Sequence, residues 1–138
     1  MSYCQDSFKP PWWLSSAHLQ TLWAALIRRR QLLHVTQERM ELPDGDFLDL
    51  AWVGNAANAP IVIMLHGLNG SVNSRYARGM LSTIEKQGLR GVLIHFRGCS
   101  KEPNRLPRAY HSGETGDLET VVKTLQAIET THVVLFII

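Results

Sequence analysis

The feature that most constrains this chain is a short apolar run that ends in a glycine-rich loop. Residues 61–65 read Ile-Val-Ile-Met-Leu, and residues 66–70 read His-Gly-Leu-Asn-Gly. A continuous apolar run of this length predicts a strand buried on both faces of a sheet covered by helices. A binding loop is typical at the carboxyl end of such a strand, although glycine also suits an ordinary strand-to-helix connection. The run therefore predicts an α/β protein.

Further apolar runs alternate with amphipathic segments after this strand. Residues 91–96 and 132–138 predict two more buried strands. Two helical faces separate the three strands, and they comprise Ala77, Met80, Leu81 and Ile84, then Leu118, Val121, Val122 and Leu125. Ser112 is predicted to cap the second helix, with Glu114 and Asp117 in its first turn. Residues 97–113 form a connection long enough to suggest a functional role.

The segment before residue 61 predicts an antiparallel hairpin. Residues 35–42 and 47–53 are strand candidates, and the sequence Pro-Asp-Gly-Asp at 43–46 joins them. Asp-Gly between two strand candidates is a strong hairpin signal. The predicted architecture is a hairpin followed by a parallel β-α-β-α-β unit with right-handed crossovers, in a domain that covers residues 34–138.

Residues 1–33 are predicted to be an arm and an amphipathic helix. Apolar residues recur at helical spacing before a basic run; the segment includes Trp12, Trp13, Leu22, Trp23, Leu26 and Ile27, then Arg28, Arg29 and Arg30. Tryptophans beside arginines suit a membrane surface. The favoured interpretation is that the helix packs its tryptophans on the main domain, because apolar stripes at this spacing usually face a core.

Composition and charge exclude several classes of protein. The net charge of +2 and the absence of a long basic stripe argue against nucleic-acid binding. No apolar run approaches the ~18 residues of a membrane span, and no signal-peptide pattern precedes the domain. Cys4 and Cys99 match no metal or redox spacing. We expect free thiols in a reducing compartment and therefore a cytoplasmic protein without a metal.

Linked motifs along nearly the whole chain carry a resemblance to a known family. They are Trp13-Leu14, His18 to Leu22, Leu42 to Asp46 with Asp49-Leu50, His66 to Leu68 with Gly70-Ser71, Phe96 to Ser100, Glu102 to Arg105 and Tyr110 to Thr115, with Asp117 following. In this order they resemble the N-terminal half of an α/β-hydrolase, specifically the hydrolase family 4 group of esterases and acylglycerol lipases. Lys101 departs from the family pattern, which usually has glycine there.

The resemblance implies hydrolysis of a small-molecule carboxylic ester by a serine nucleophile. The resemblance also implies that the backbone N–H of Leu68 is one donor of the oxyanion hole. His66, Gly67 and Gly70 support that loop, and Gly67 lets the backbone approach the substrate. His66 is not expected to be the triad base, because the order of the triad in this fold is serine, acid, histidine. No cofactor is implied, since a serine esterase works with side chains and water.

The nucleophile expected from the resemblance is not found in the sequence. A Gly-x-Ser-x-Gly turn should follow the strand at 132–138, and the 138 residues contain no copy. Gly98 to Glu102 is the nearest imitation, but it lacks the closing glycine and follows the wrong strand, so Ser100 is not expected to be the nucleophile.

Two interpretations of this absence remain open. In the first, the chain is a truncated N-terminal portion of an esterase and is inactive alone. In the second, it is a noncatalytic remnant that binds an acyl ligand or a complementing chain. The apolar strand at 133–138 would form a bare sheet edge in either case, and we expect it to make the isolated chain prone to aggregation.

Overall fold

A computed structural model describes residues 9–26, 32–67, 70–111, 113–128 and 132–137. Within these residues the chain forms five strands, three α-helices and a short 3-10 turn at Trp12–Leu14. The strands are β1 (Thr36–Glu41), β2 (Phe47–Val53), β3 (Ile61–Leu65), β4 (Arg90–His95) and β5 (Val133–Ile137). The helices are α1 (Ala17–Leu26), α2 (Arg75–Lys86) and α3 (Gly116–Ile128).

The five strands form one mixed sheet in the order β1-β2-β4-β3-β5. The hairpin β1–β2 is antiparallel, and Gly45 in its turn has φ +84°, a conformation that favours glycine. β2 pairs antiparallel with β4, whereas β3 pairs parallel with both β4 and β5. The predicted hairpin followed by a parallel β-α-β-α-β unit is confirmed, with strand ends displaced by about one residue.

Two hydrophobic clusters cover opposite faces of the sheet. Side chains alternate along β3, so that Ile63 joins one cluster and Met64 the other. The cluster against α3 includes Leu48, Leu50, Ile61, Ile63, Leu65, Val92, Ile94, Val121 and Leu125. The cluster against α2 includes Ala51, Val53, Met64, Ala77, Leu81 and Leu93. A sheet covered on both faces explains why the central strands read as continuous apolar runs.

β5 lies at one edge of the described sheet. Its register places Val133 opposite Ile61 and Ile137 opposite Leu65. The N–H of Ile61 also donates to the carbonyl of His132 at 2.9 Å, just before β5 begins. The carboxyl ends of β3 and β5 therefore lie side by side. The expected tendency of this edge to aggregate stays a prediction.

The start of α3 differs from the prediction. The helix begins at Gly116, because the first helical hydrogen bond runs from the N–H of Glu119 to the carbonyl of Thr115 at 2.8 Å. Glu114 precedes the helix and accepts the N–H of Gly116 at 3.1 Å. The predicted cap at Ser112 is therefore wrong: that residue lies outside the described residues, and the helix starts too far along the chain for it.

The N-terminal helix also departs from the favoured interpretation. Trp12 is 90% exposed and Trp13 is 45% exposed, while Leu19 and Leu22 are each about half exposed. The predicted packing of the tryptophans on the main domain is wrong for Trp12, which is almost fully exposed, and stays a prediction for Trp13, which is about half buried. Periodicity identifies an apolar face but not what covers it. The side chain of Trp23 and residues 28–30 lie outside what the structure describes.

Candidate functional site

The loop after β3 begins with a buried histidine. The Nδ1–H of His66 donates to the carbonyl of Gly67 at 2.8 Å, and its Nε2 accepts the backbone N–H of Phe96 at 3.3 Å. These partners place the proton on Nδ1 and leave the lone pair on Nε2. His66 thus joins the end of β3 to the backbone that follows β4. These contacts fit the predicted loop-supporting role, which stays a prediction, and both ring nitrogens are engaged.

The two glycines of this loop have different surroundings. The N–H of Gly70 donates to the carbonyl of Gly67 at 3.0 Å. A Cβ on Gly70 would lie 2.8 Å from both the Cβ of His66 and the hydroxyl of Tyr76, so only glycine fits there without displacement. A Cβ on Gly67 would meet nothing within 4 Å, and this exposed residue leaves open space beside the backbone. Leu68 lies outside the described residues, so its oxyanion role stays a prediction.

A second histidine, not identified from the sequence, lies beside this loop. His95 is the last residue of β4; its Nε2 accepts the N–H of Val72 at 3.2 Å, and its Nδ1–H donates to the carbonyl of Asp49 at 3.1 Å. The ring centroids of His95 and His66 are 6.1 Å apart. One sequence signal could have identified His95. It is a polar residue at the carboxyl end of an apolar strand, and His66 follows the carboxyl end of the neighbouring strand.

Burial keeps both imidazoles neutral at pH 7. Desolvation lowers the pKa of His66, and the hydrogen bond to Gly67 opposes this only in part. Desolvation also lowers the pKa of His95, outweighing the hydrogen bond to Asp49. Each Nε2 therefore retains the lone pair that its backbone partner requires.

An ion cluster surrounds Arg97, immediately after β4. The guanidinium is buried and donates from Nε and Nη2 to the two carboxylate oxygens of Asp117, both at 2.8 Å. Its Nη1 lies 3.0 Å from Asp46 and 2.7 Å from Asp44 in the hairpin turn. Asn104 adds a bond from its amide nitrogen to Asp46 at 3.0 Å. The cluster therefore joins the hairpin turn, the loop after β4 and the first turn of α3.

Two carboxylates of this cluster, Asp44 and Asp46, are held in their charged form. Burial alone would raise the pKa of Asp46, but bonds from Asn104 and from backbone N–H groups, with the charge of Arg97, bring it below its usual range. The hydrogen bond that Arg97 donates to Asp44 lowers the pKa of Asp44, and the hydrogen bonds that Arg97 donates to Asp117 raise the pKa of Arg97. These groups act as structural ion pairs at neutral pH.

A cavity of about 210 Å³ lies between β2 and the loops that follow β3 and β4. Asp49, His95 and Ser100 all line it. Arg39 binds the carboxylate of Asp49 at 2.9 and 3.2 Å, and the hydroxyl of Ser100 also bonds to this carboxylate. Both nitrogens of His95 already bond to backbone groups, so this imidazole is not positioned to activate Ser100. The geometry supports the expectation that Ser100 is not a nucleophile.

Two further predictions concern metals and thiols. No group of three or more potential metal-ligating side chains occurs within the part of the chain that the structure describes. Cys99 is free and half-buried, and burial raises the pKa of its thiol. Cys4 lies outside the described residues.

No α-helix described in the structure is long and apolar enough to cross a membrane.

Curated proteins match most of this chain. It is 49% identical over 122 residues to the Escherichia coli (strain K12) protein named "Putative esterase YheT", covering 86% of this chain and 36% of that protein. It is 28% identical over 131 residues to human phospholipase ABHD3, covering 89% of this chain and 32% of that protein. The chain thus spans about a third of the length of these relatives. No protein-family model matches it.

Solved structures share the fold. XC6422 from Xanthomonas campestris, described as an a/b serine hydrolase without lid, aligns with a TM-score of 0.59 and 19% identity, covering 75% of this chain and 49% of that one. The Pyrococcus furiosus esterase Pf2001 aligns with a TM-score of 0.62 and 16% identity, covering 77% and 40%. At these identities the likeness concerns the fold alone.

Proposed function

The chain belongs to the α/β-hydrolase superfamily, and we propose that it forms the N-terminal part of a serine carboxylic-ester hydrolase. The 49% identity to YheT, named as an esterase, carries this proposal. Because the match covers 86% of the chain, it includes the loop at 66–70 and the Arg97 cluster, which lie in its middle. The substrate class is a small-molecule ester.

In the proposed reaction the loop after β3 supplies one half of the site. A serine attacks the ester carbonyl, the alcohol leaves, and water then hydrolyses the acyl-enzyme. Negative charge develops on the carbonyl oxygen, and the N–H of Leu68 donates to it. The open space beside Gly67 would admit the substrate, and the bonds of His66 to Gly67 in the loop and to Phe96 after β4 support a loop that needs no rearrangement.

The nucleophile would come from residues that follow β5. β5 pairs parallel with β3, so a turn after β5 would lie next to the loop at 66–70. The 138 residues contain no Gly-x-Ser-x-Gly. Loss of a triad serine or histidine costs on the order of a million-fold in turnover, although an oxyanion hole and substrate binding retain about a thousand-fold over water. We therefore expect these residues alone to show no useful esterase activity.

A chimera tests the proposal. Residues 1–138 would replace the matched segment of YheT, and the chain alone would serve as the comparison. We expect the chimera to hydrolyse p-nitrophenyl butyrate and to react with a fluorophosphonate probe, and the chain alone to do neither. Turnover by the chain alone that disappears on Ser100→Ala or Ser112→Ala would contradict our assignment. A folded chimera without turnover would contradict the proposed half-site.

The second candidate function is noncatalytic binding of an acyl ligand, favoured by the open surface at Gly67. A ligand that binds the folded chain raises its melting temperature with ligand concentration. Thermal unfolding of residues 1–138 with increasing decanoate or p-nitrophenyl butyrate would measure this. A cooperative transition that rises with ligand supports the binding function, and a transition that does not move contradicts it.

A further inference from the structure

The ends of the two central parallel strands exchange hydrogen bonds through histidines. His66, directly after β3, accepts the N–H of Phe96, which follows β4. His95, at the end of β4, accepts the N–H of Val72, in the loop that follows β3. Each histidine therefore binds the backbone that leaves the neighbouring strand. The two bonds fasten the loop after β3 at its beginning and again six residues later.

We propose that His95 is a positioning residue for the loop that carries the predicted oxyanion donor. It holds Val72, and with it the second half of the loop, against the end of β4 as long as its Nε2 accepts a hydrogen bond. The consequence for ester hydrolysis rests on the proposed function. The hydrogen bond that holds Val72 against His95 is called the tether. It rests only on the contacts of His95 with Val72 and Asp49.

The second hydrogen bond of each imidazole, donated by Nδ1–H, makes the bond at Nε2 depend on the protonation state of the ring. The Nδ1–H of His95 donates to the carbonyl of Asp49, and that of His66 donates to the carbonyl of Gly67. A neutral ring can then accept at Nε2. A second proton on His95 would place its N–H against the N–H of Val72, and the bond would be lost.

The titratable groups that shift the protonation of His95 come from three segments. Asp49 on β2 favours the imidazolium, but its carboxylate is bound by Arg39. His66 at the end of β3 and Lys101 in the loop after β4 both disfavour the imidazolium. Burial, the largest effect, acts in the same direction. His95 also lines the cavity of about 210 Å³, which gives solvent a route to the ring.

Amide hydrogen exchange in the full 138-residue chain tests the tether. At pH 7.5 we expect His95→Leu to lower the protection factor of the Val72 amide about tenfold, because one acceptor is lost. His95→Gln supplies an amide oxygen and should retain most of the protection. His34→Gln, at an exposed histidine, is the matched control and should change nothing. Equal protection of Val72 in the wild type and His95→Leu would overturn the proposal.

The pH dependence separates positioning from general stability. In the wild type, Val72 protection should fall as the pH is lowered from 7 to 5, after correction for intrinsic exchange. In His95→Gln it should fall less, since the ring that accepts the Val72 bond is gone and only His66 still titrates beside the loop. Loss of protection throughout the sheet in His95→Leu, with no separate effect at Val72, would show a merely structural role and overturn the proposal.

The chimera provides a readout of the reaction. His95→Leu should lower kcat about tenfold with little change in KM, and His95→Gln should restore most of kcat. An unchanged kcat together with lost Val72 protection would contradict the oxyanion assignment of the loop while the tether stands. A chimera without activity would contradict the proposed function, and the exchange experiment would still decide the tether.

Discussion

The end of β4 separates two polar clusters that hold the fold together in different ways. After the strand, Arg97 binds three carboxylates from the hairpin turn and α3. At the strand end, His95 binds two backbone groups and, with His66, fastens the loop after β3. One cluster is charged at neutral pH and the other is neutral. We infer that the arginine cluster fixes the framework, whereas the histidine pair fixes a loop that acid can release.

The largest expected effect on stability comes from the cluster around Arg97. Arg97→Met removes the guanidinium and leaves Asp46 and Asp117 buried without their cation. Breaking a buried ion pair by removing one partner typically costs about 3–5 kcal/mol. We expect a decrease of this size in the free energy of unfolding, measured by urea denaturation at pH 7.5. A decrease below about 1 kcal/mol would contradict the structural role of the cluster.

On the histidine side, a pair of glycine variants tests how tightly the loop packs. Gly70→Ala brings a methyl group within 2.8 Å of His66 and Tyr76, and we expect a loss of about 1–3 kcal/mol of unfolding free energy. Gly67→Ala meets open space and should leave stability unchanged. In the YheT chimera, Gly67→Ala should lower ester turnover by up to about a hundredfold, because it displaces the substrate.

These two variants are each other's controls. A stable Gly70→Ala would show that the loop can move away from His66 at no cost. Unchanged ester turnover in Gly67→Ala would show that the substrate does not approach this surface.

Acid distinguishes the two clusters directly. The pKa values of His66 and His95 are lowered in the folded state, so their contribution is fully present above about pH 6.5 and is lost as the pH falls through the folded values. The pKa values of Asp44 and Asp46 are lowered too, and their contribution is lost only below about pH 3.9.

We therefore expect the melting temperature to fall in two steps as the pH is lowered. The first step should correspond to a loss of about 1 kcal/mol in the free energy of unfolding for each lost imidazole bond. Replacing His95 with glutamine should make the first step smaller and leave the second unchanged. A single decrease confined to the region below pH 4 would contradict a titrating histidine pair.

The smallest effect on stability is expected at an exposed ion pair near the Arg97 cluster. Arg105 forms an ion pair with Glu41, and both side chains are largely exposed. Exposed pairs contribute little, because water screens them and ordering two long side chains opposes them. Arg105→Leu should leave the midpoint of urea unfolding unchanged within error. A shift comparable to that of Arg97→Met would mean that the cluster extends to the surface.

Local patterns predicted most of the elements correctly. The apolar run at 61–65 is an interior strand of the sheet, and Gly45 lies in the hairpin turn with φ +84°. Such signals depend on neighbouring residues, because side-chain periodicity and backbone conformation are set within a few positions. The predicted start of α3 is wrong because the hydrogen bond from the N–H of Glu119 to the carbonyl of Thr115, not the nearest capping residue, defines its first turn.

The sequence alone determined the α/β class, the order of strands and helices, and a resemblance that the relatives confirm at the level of the superfamily. The tertiary structure decided which polar groups meet. Arg97 and Asp46 lie 51 positions apart, and His95 and Val72 lie 23 apart. Asp117 suited a helix dipole by its position, yet its carboxylate binds Arg97. Periodicity records which side of an element is apolar; a hydrogen bond between distant segments exists only once the sheet has aligned their ends.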